Sequence, residues 1–525
     1  MKNIKIEVLV IGSGFGAAAP ALRLSEKGFK VLMLEKGKNI IPEEDFRMTQ
    51  DPKYLLKYLK GVGSNSINFT FAEGLGGGSG FYECVSLRAP SKVFTLTNKD
   101  GKNYWPAGIT RSTLDPYYDI AEEMLHVEQI SKDEIPKSGV VFSNLMKNLG
   151  YSCDRARYAV KGCIGSGFCI SGCIFGSKQS LHMNYIPMAK KSGMQILTET
   201  EALDIRTLIP NVKSTKRISN MHGLPFRYEV KCRNTELDEV FTVKAKMIIL
   251  GGGTIGTAKL LLNSKKNLHF LSSHVGKNIA FNGSVKAVGL LPGNMIEGDM
   301  FSGRSHPGMI SYQFFDSLGI TISSSKPLPI IVVGAARLML EGDKRNPLYW
   351  GEANVDLMKK FRRRMIVLYA LGLTPPGAEI RISNSGSVIP KLDLDSGYKN
   401  YYKNTQNLLY SIFKRNGCKI IDHVNVDKEG QSKEGISFTT THMIGSCRMA
   451  DSKNNGVVDP FGEVFDYPGI FVTDGAAVPT SLAVNSSLTI LANAERIAHH
   501  LVEKFSASRK YKAKILQNIS SNINN

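Results

Sequence analysis

The sequence predicts an α/β protein in which a Rossmann-type nucleotide-binding domain, discontinuous along the chain, is joined to a second domain built on a mixed or antiparallel sheet. Three observations predict it. A strand, glycine turn and helix open the chain between Glu7 and Lys27, and a second such unit starts at Ala245. The stretch from Phe301 to Thr439 lacks these units and carries short apolar runs such as Pro329–Gly334, the pattern of antiparallel strands. At 525 residues the chain exceeds what one hydrophobic core supports and suits interleaved domains.

Glu7–Ile11 is a short apolar strand, Gly12–Gly16 a glycine loop, Ala17–Lys27 an alanine- and leucine-rich helix, and Lys30–Leu34 the next strand. An irregular excursion is expected between about residues 45 and 72, followed by a second glycine loop at Gly74, Gly76, Gly77, Gly78 and Gly80. Residues 1–100 thus form the first segment of the nucleotide-binding domain. A mixed segment, 101–196, assigned to the substrate side as a cap, holds a helix from Thr113 to Leu125 and a cysteine-bearing loop from Cys163 to Cys173. Residues 197–300 return to the first domain, with Ala245–Leu250 running into Gly251, Gly252, Gly253 and a leucine-rich helix. Residues 301–439 are assigned to substrate binding. Residues 440–510 form the third segment, ending in a helix from Leu488 to Phe505, and 511–525 are a polar tail.

Composition is that of a globular enzyme: 42% apolar, 21% charged and 9% aromatic, with 50 glycines for tight turns. The formal charge of +20 is scattered, with its densest runs at Lys359–Arg364 and Arg509–Lys514. No nucleic-acid-binding motif accompanies these runs, so they read as solvated surface, with contact to an anionic membrane as the minor alternative. Eight cysteines in so long a chain do not make a disulfide scaffold. The apolar start leads straight into a glycine loop without a cleavage site, and no apolar run reaches spanning length. The cytoplasm is the expected location.

In Gly12-Ser13-Gly14-Phe15-Gly16-Ala17, a cofactor-binding loop that includes Gly16, the first glycine permits the tight turn, Gly14 lets backbone approach a pyrophosphate, and Ala17 allows close helix packing. The helix N-terminus supplies donors to the anion. Glu35 closes the second strand about 20 residues on, where a carboxylate accepts from both ribose hydroxyls of an adenosine. The glycine motif by itself does not choose between NAD and FAD.

At Gly74-Leu75-Gly76-Gly77-Gly78-Ser79, Trp105-Pro106 and above all Thr441–Arg496, the chain resembles the glucose-methanol-choline oxidoreductases, especially their cholesterol-oxidase-like branch. The most specific parts are His442-Met443-Ile444-Gly445-Ser446-Cys447-Arg448-Met449, Val458-Asp459, Val472–Pro479, Val484-Asn485 and Ala494-Glu495-Arg496. The resemblance implies an FAD domain with the flavin at its boundary with the substrate domain. By motif match, Gly12, Gly14 and Glu35 hold the adenosine half, and Gly76, Gly77, Gly78 and Ser79 lie along the pyrophosphate and flavin. Asp474 and Gly475 sit near the flavin end, and Ala202 marks a strand whose backbone meets adenine. His442 and Asn485 match the paired active-site positions. A histidine there takes the hydroxyl proton as hydride leaves the carbinol carbon, and an amide orients the oxygen. No histidine lies between Gly74 and Glu83, so dissociable FAD is expected.

Two features depart from the sterol-oxidase pattern. Ser486 and Ser487 replace the Pro-Phe expected after Asn485, and no carboxylate matches a double-bond-isomerising motif, Glu352 and Glu379 being nominal candidates. Cys163, Cys169 and Cys173 are similar to a cysteine-rich loop of mycobacterial cholesterol-oxidase-like and long-chain alcohol oxidase relatives. Three thiols fall short of the about four ligands that a zinc or iron–sulfur site takes, so no metal is assigned; Cys153 joins them only through folding. The leading expectation is an FAD-dependent enzyme oxidising a hydrophobic alcohol, first a 3-hydroxysterol such as cholesterol and second a long-chain alcohol. Two alternatives stand beside it: a flavin-binding protein without turnover, and a sugar or choline oxidase with a small polar pocket.

Overall fold

The computed structural model describes residues 3–49, 51–209, 225–299, 307–325, 352–420 and 436–505. The run Pro329–Gly334, the basic run Arg509–Lys514 and the tail from residue 511 lie outside the described residues.

The apolar run of the first strand is buried on both faces, with Val8, Leu9 and Val10 fully enclosed, as strands at the centre of a parallel sheet are. It lies in a seven-stranded sheet, in the order Gln195–Leu197, Val31–Leu34, Asn3–Ile11, Val240–Leu250, Tyr228–Asn234 and Thr200–Thr207, with Ile470–Val472 also paired to Val240–Leu250. The Gln195, Val31, Asn3, Val240 and Ile470 strands run parallel. The Tyr228 and Thr200 strands close the sheet antiparallel. Register aligns Ile11 with both Leu34 and Leu250, and Leu250 with Val472. The four strand ends therefore deliver Gly12, Glu35, Gly251 and Thr473 to one edge, the carboxyl-end crevice where open α/β sheets bind ligands.

Helix Phe15–Glu26 packs against Ser487–Phe505, which in turn packs on Arg111–Met124. Buried Glu495 ties the first two together, accepting from Arg23 Nε and Nη2 at 2.9 and 2.8 Å and from Tyr185 Oη at 2.8 Å. A second sheet of six strands runs Lys419–Ile420, Val285–Leu290, Met365–Gly372, Ile320–Ser325, Met309–Ser311 and Asp154–Arg155. Every pairing in it is antiparallel.

Two boundaries differ from the sequence reading. Residues 45–72 are not irregular: they hold helices Pro42–Met48 and Pro52–Tyr58 and the hairpin Leu59–Gly63 with Ile67–Ala72. Each helix starts on a proline, and Asp51 caps the second by accepting from Lys53 N at 2.8 Å. Alternation then buries Ile67 and Phe69 completely. The second sheet also takes Val285–Leu290 and Asp154–Arg155, from segments read as nucleotide-binding domain and cap. Partner choice between distant strands is a long-range property that local periodicity does not carry. Among the described residues no helix is long and apolar enough to cross a membrane.

Candidate active site

Three glycine-bearing turns meet at the carboxyl edge of the parallel sheet. Gly12 has a φ of +97°, and a Cβ there would lie 2.3 Å from Gly251 O. A Cβ on Gly16 would lie 2.2 Å from Asp474 Cα, and one on Gly251 would lie 2.5 Å from Ala17 Cβ. These positions are glycine because backbones touch there. Asp474 holds the junction: Oδ2 accepts from Gly253 N at 2.7 Å and Thr257 Oγ1 at 2.6 Å, and Oδ1 from Ala476 N at 2.9 Å. Burial pushes its carboxyl up to about 6, against those donors. Gly475 starts the short turn that follows, and its carbonyl accepts from Gly445 N at 2.8 Å.

Gly14 differs from its neighbours, since a Cβ there would meet nothing within 4 Å. The same holds for Gly78 in the second loop, while Gly77, at φ +54°, would place its Cβ 3.0 Å from Gly14 Cα. The two glycine loops thus face each other, leaving open space where an elongated pyrophosphate would run. Ser13 joins them: its hydroxyl donates to Glu35 Oε2 at 2.5 Å and accepts from Gly76 N at 2.9 Å. Glu35 Oε1 accepts from Gly37 N at 2.8 Å, and burial raises its pKa. The Gly74 backbone also donates to this carboxylate, which leaves one of its about four lone-pair sites for a ribose hydroxyl. Ser79 is buried, donating to Gly76 O at 2.7 Å and accepting from Leu181 N at 3.1 Å. Ala202 lies at a bulge of the Thr200–Thr207 strand opposite Cys232, two residues after Thr200 N donates to Glu35 O. His182, missed in the sequence, faces the Gly76 loop with Nδ1 buried and unpaired. Burial, aided by Lys178, pulls its imidazole down to about 4. Facing glycine loops, a buried carboxylate at the strand end and an orphaned buried nitrogen fit a dinucleotide flavin.

His442 and Asn485 come together, with Asn485 Nδ2 3.2 Å from His442 Nε2. His442 follows strand Phe438–Thr440, which pairs in parallel with Ile67–Phe69 of the hairpin, and its N–H donates to Thr440 Oγ1 at 2.9 Å. Asn485 precedes the last helix. Asn282 holds its loop by donating to Val484 O at 2.7 Å and accepting from Leu482 N at 2.6 Å. Thr321 Oγ1 donates to the carbonyl of Ala483, whose φ is +55°. Burial first, then the charge of Lys286, lowers the His442 imidazole to about 4. It is therefore neutral near pH 7 and able to accept a proton.

Asn485 lines a cavity against the second sheet with Glu83, Val85, Leu87, Ser323, Tyr369 and Leu371. Neither nominal isomerising carboxylate faces it. Glu352 is exposed on a helix, and Glu379 Oε1 accepts from Arg381 at 2.7 Å on a separate hairpin. Glu83 is the carboxylate that the fold brings here. It adjoins the glycine loop, a segment read only for phosphate and flavin contacts.

The cysteine loop sits on the second glycine loop. Buried Lys178 Nζ donates to Gly80 O at 2.7 Å and Cys169 O at 2.6 Å. Cys163, Cys169 and Cys173 line one cavity, and Cys169 shares a side-chain hydrogen bond with buried Cys84. Cys153 lies instead beside Ser311 of the second sheet.

The two models of the GMC oxidoreductase family match residues 7–282 and 404–494. The chain belongs to the GMC oxidoreductases. Members bind FAD and act as oxidoreductases on alcohols, and FAD is the cofactor of this GMC enzyme. A cholesterol oxidase of Mycobacterium tuberculosis is 25% identical, over 94% of this chain and 90% of its own. A cholesterol oxidase of Acinetobacter baumannii is 22% identical over 96% of both chains. A long-chain-alcohol oxidase of Arabidopsis thaliana is 22% identical over 95% of this chain and 68% of its own. Among solved structures, pyridoxine 4-oxidase from Mesorbium loti superposes with a TM-score of 0.66 at 14% identity, covering 94% of this chain and 99% of that one. The formate oxidase of Aspergillus oryzae gives 0.65 at 13% identity, over 96% and 99%. At such identities the two structures speak for the GMC fold alone.

Proposed function

We propose that this GMC oxidoreductase oxidises the CH–OH group of a hydrophobic alcohol to a carbonyl, with a 3-hydroxysterol as the first substrate class and a long-chain alcohol as the second. The observation that carries the reading is the 3.2 Å contact between His442 Nε2 and Asn485 Nδ2 at the edge of the cavity. With Asn485 donating, Nε2 bears the lone pair; the substrate hydroxyl takes the place of that N–H, and Nε2 accepts its proton. Asn485 orients the carbinol oxygen, and the flavin, when bound, receives the hydride. The apolar wall of Val85, Leu87, Ile310 and Leu371 suits an apolar substrate body and excludes water from it. By the same reading Gly14, Gly77, Gly78 and Glu35 hold FAD, and Asp474 fixes the junction beneath it.

One observation favours a second reading, a small polar alcohol such as a sugar: Glu83, Thr321, Ser323, Ser324 and Ser325 line the same cavity. Anaerobic mixing of the flavin-loaded protein with cholesterol, a long-chain alcohol and a sugar decides between them. Bleaching of the flavin absorbance by the apolar alcohols, lost in His442→Ala, is the expected result. Bleaching by the sugar alone transfers the assignment to the polar class, and bleaching by none overturns both.

A further inference from the structure

Strand Val285–Leu290 lies inside the antiparallel sheet, between Met365–Gly372 and Lys419–Ile420, a position with no evident use for a charge. Val285 and Ala287 are buried at 1% and 0% exposure. Lys286, between them, points to the opposite face, as alternation requires. It is directly paired with Tyr369, and its ammonium lies 5.4 Å from that ring's centroid. Tyr369, whose hydroxyl is 2.8 Å from Ser284 Oγ, lines the cavity together with Glu83 and Asn485.

Lys286 is exposed on the face of the strand that it shares with Tyr369, and its ammonium's pKa is lowered by dehydration. Its charge bears on His442, and the carboxylate of Glu83 bears on it in turn. Among the described residues the ammonium has no hydrogen bond and no ion pair, only the face of Tyr369. An ammonium over a ring that lines the cavity, with its donors unused among the described residues, can donate to an oxygen ligand there. Unpaired ionisable groups in clefts cluster at functional sites for that reason.

We propose that Lys286 is a further residue of the reaction centre, whose ammonium binds the substrate oxygen from the sheet side and stabilises the negative charge that builds on it as His442 takes the proton. This rests on the reading of His442 and Asn485 given above. In the step, the O–H bond breaks with its proton going to His442 Nε2, and the pair left on oxygen becomes the second bond of the carbonyl. The C–H pair leaves as hydride to the flavin. Lys286 keeps its proton throughout and acts as a charged donor. Glu83, in the same cavity, favours that protonated state.

The test uses the flavin-loaded full chain, wild type and Lys286→Met, Lys286→Gln and Lys286→Arg, with acetate as an oxyanion probe followed by the flavin visible spectrum. A histidine NMR titration of the imidazole accompanies it. Wild type is expected to give a saturable spectral change with acetate. Binding weakens at least about tenfold in the Met and Gln variants and is retained with Arg. The His442 midpoint rises from about 4 towards 6.5 once the neighbouring cation is gone. Absence of any acetate effect in wild type overturns the proposal, as does unchanged binding in Lys286→Met with an unmoved His442 midpoint. If the Met and Gln variants fail to retain flavin, Lys286→Arg decides, and its failure to bind acetate overturns the proposal. Full flavin reduction in His442→Ala sinks the proton-acceptor reading instead and leaves the acetate result standing.

Discussion

Asn485 Nδ2 stands 3.2 Å from His442 Nε2, although the two residues reach that point on unrelated elements, one after a three-residue strand and the other before the last helix. The hairpin strand Ile67–Ala72 seats the first, and Asn282 with Thr321 seats the second. The relationship separates two kinds of loss. His442→Ala is expected to slow flavin reduction by about 10³-fold, the range for removing a general base. Asn485→Ala removes an orienting hydrogen bond and is expected to cost about 10- to 100-fold. Stopped-flow reduction under anaerobic conditions measures both, and equal rates in Asn485→Ala and wild type sink the orienting role.

The pH dependence follows from the lowered imidazole. His442 must be neutral to accept a proton, and its value of about 4 makes it so through the neutral range. The reductive step is expected to be flat from pH 7 down to about 5 and to fall about tenfold per pH unit below about 4. An acidic limb near the ordinary histidine value of 6.5 contradicts a dehydrated base beside Lys286.

Gly14 and Gly16 make opposite predictions from the same loop. A Cβ on Gly16 lies 2.2 Å from Asp474 Cα, so Gly16→Ala is expected to destabilise the fold by about 3 kcal/mol or more. Gly14 has φ −74° and open space where a Cβ would go. Gly14→Ala is therefore expected to keep the apoprotein's melting temperature while obstructing the cofactor lane, and to lose flavin on gel filtration. Normal flavin content in Gly14→Ala removes that lane from the FAD site.

Ser13 joins Glu35 to the second glycine loop through hydrogen bonds of 2.5 and 2.9 Å. Ser13→Ala strips buried Glu35 of a donor and Gly76 N of its acceptor, at an expected cost of about 1–3 kcal/mol in chemical denaturation. Glu35→Gln is expected to weaken FAD about tenfold, read by fluorescence on release, because a charged acceptor for ribose hydroxyls is lost. Unchanged FAD affinity in Glu35→Gln removes the carboxylate from adenosine recognition.

The Rossmann-type start was legible because its pattern is local: an apolar strand, the Gly12–Gly16 loop, an alanine- and leucine-rich helix and Glu35 at the end of the second strand. Which backbones those glycines admit, Gly251 at Gly12 and Asp474 at Gly16, was not. His442 and Asn485 were legible as motif positions, but their contact was not. The hairpin at Leu59–Ala72 was hidden because six-residue alternation beside two proline-started helices looks like loop. That hairpin carries the strand that seats His442.

By itself, then, the sequence carried the strand, glycine turn and helix start with Glu35 at short spacing and, through its family resemblance, the FAD assignment and the expectation that His442 and Asn485 form the active-site pair. Only the tertiary structure decided that Glu83 and Tyr369 line the cavity with Asn485, that Lys286 lies over the Tyr369 ring, and that Cys84 meets Cys169 while Cys153 lies elsewhere. The reason is physical. A dehydrated charge is defined by what folds around it, and strand pairing across more than a hundred residues is set by the whole core and not by any local pattern.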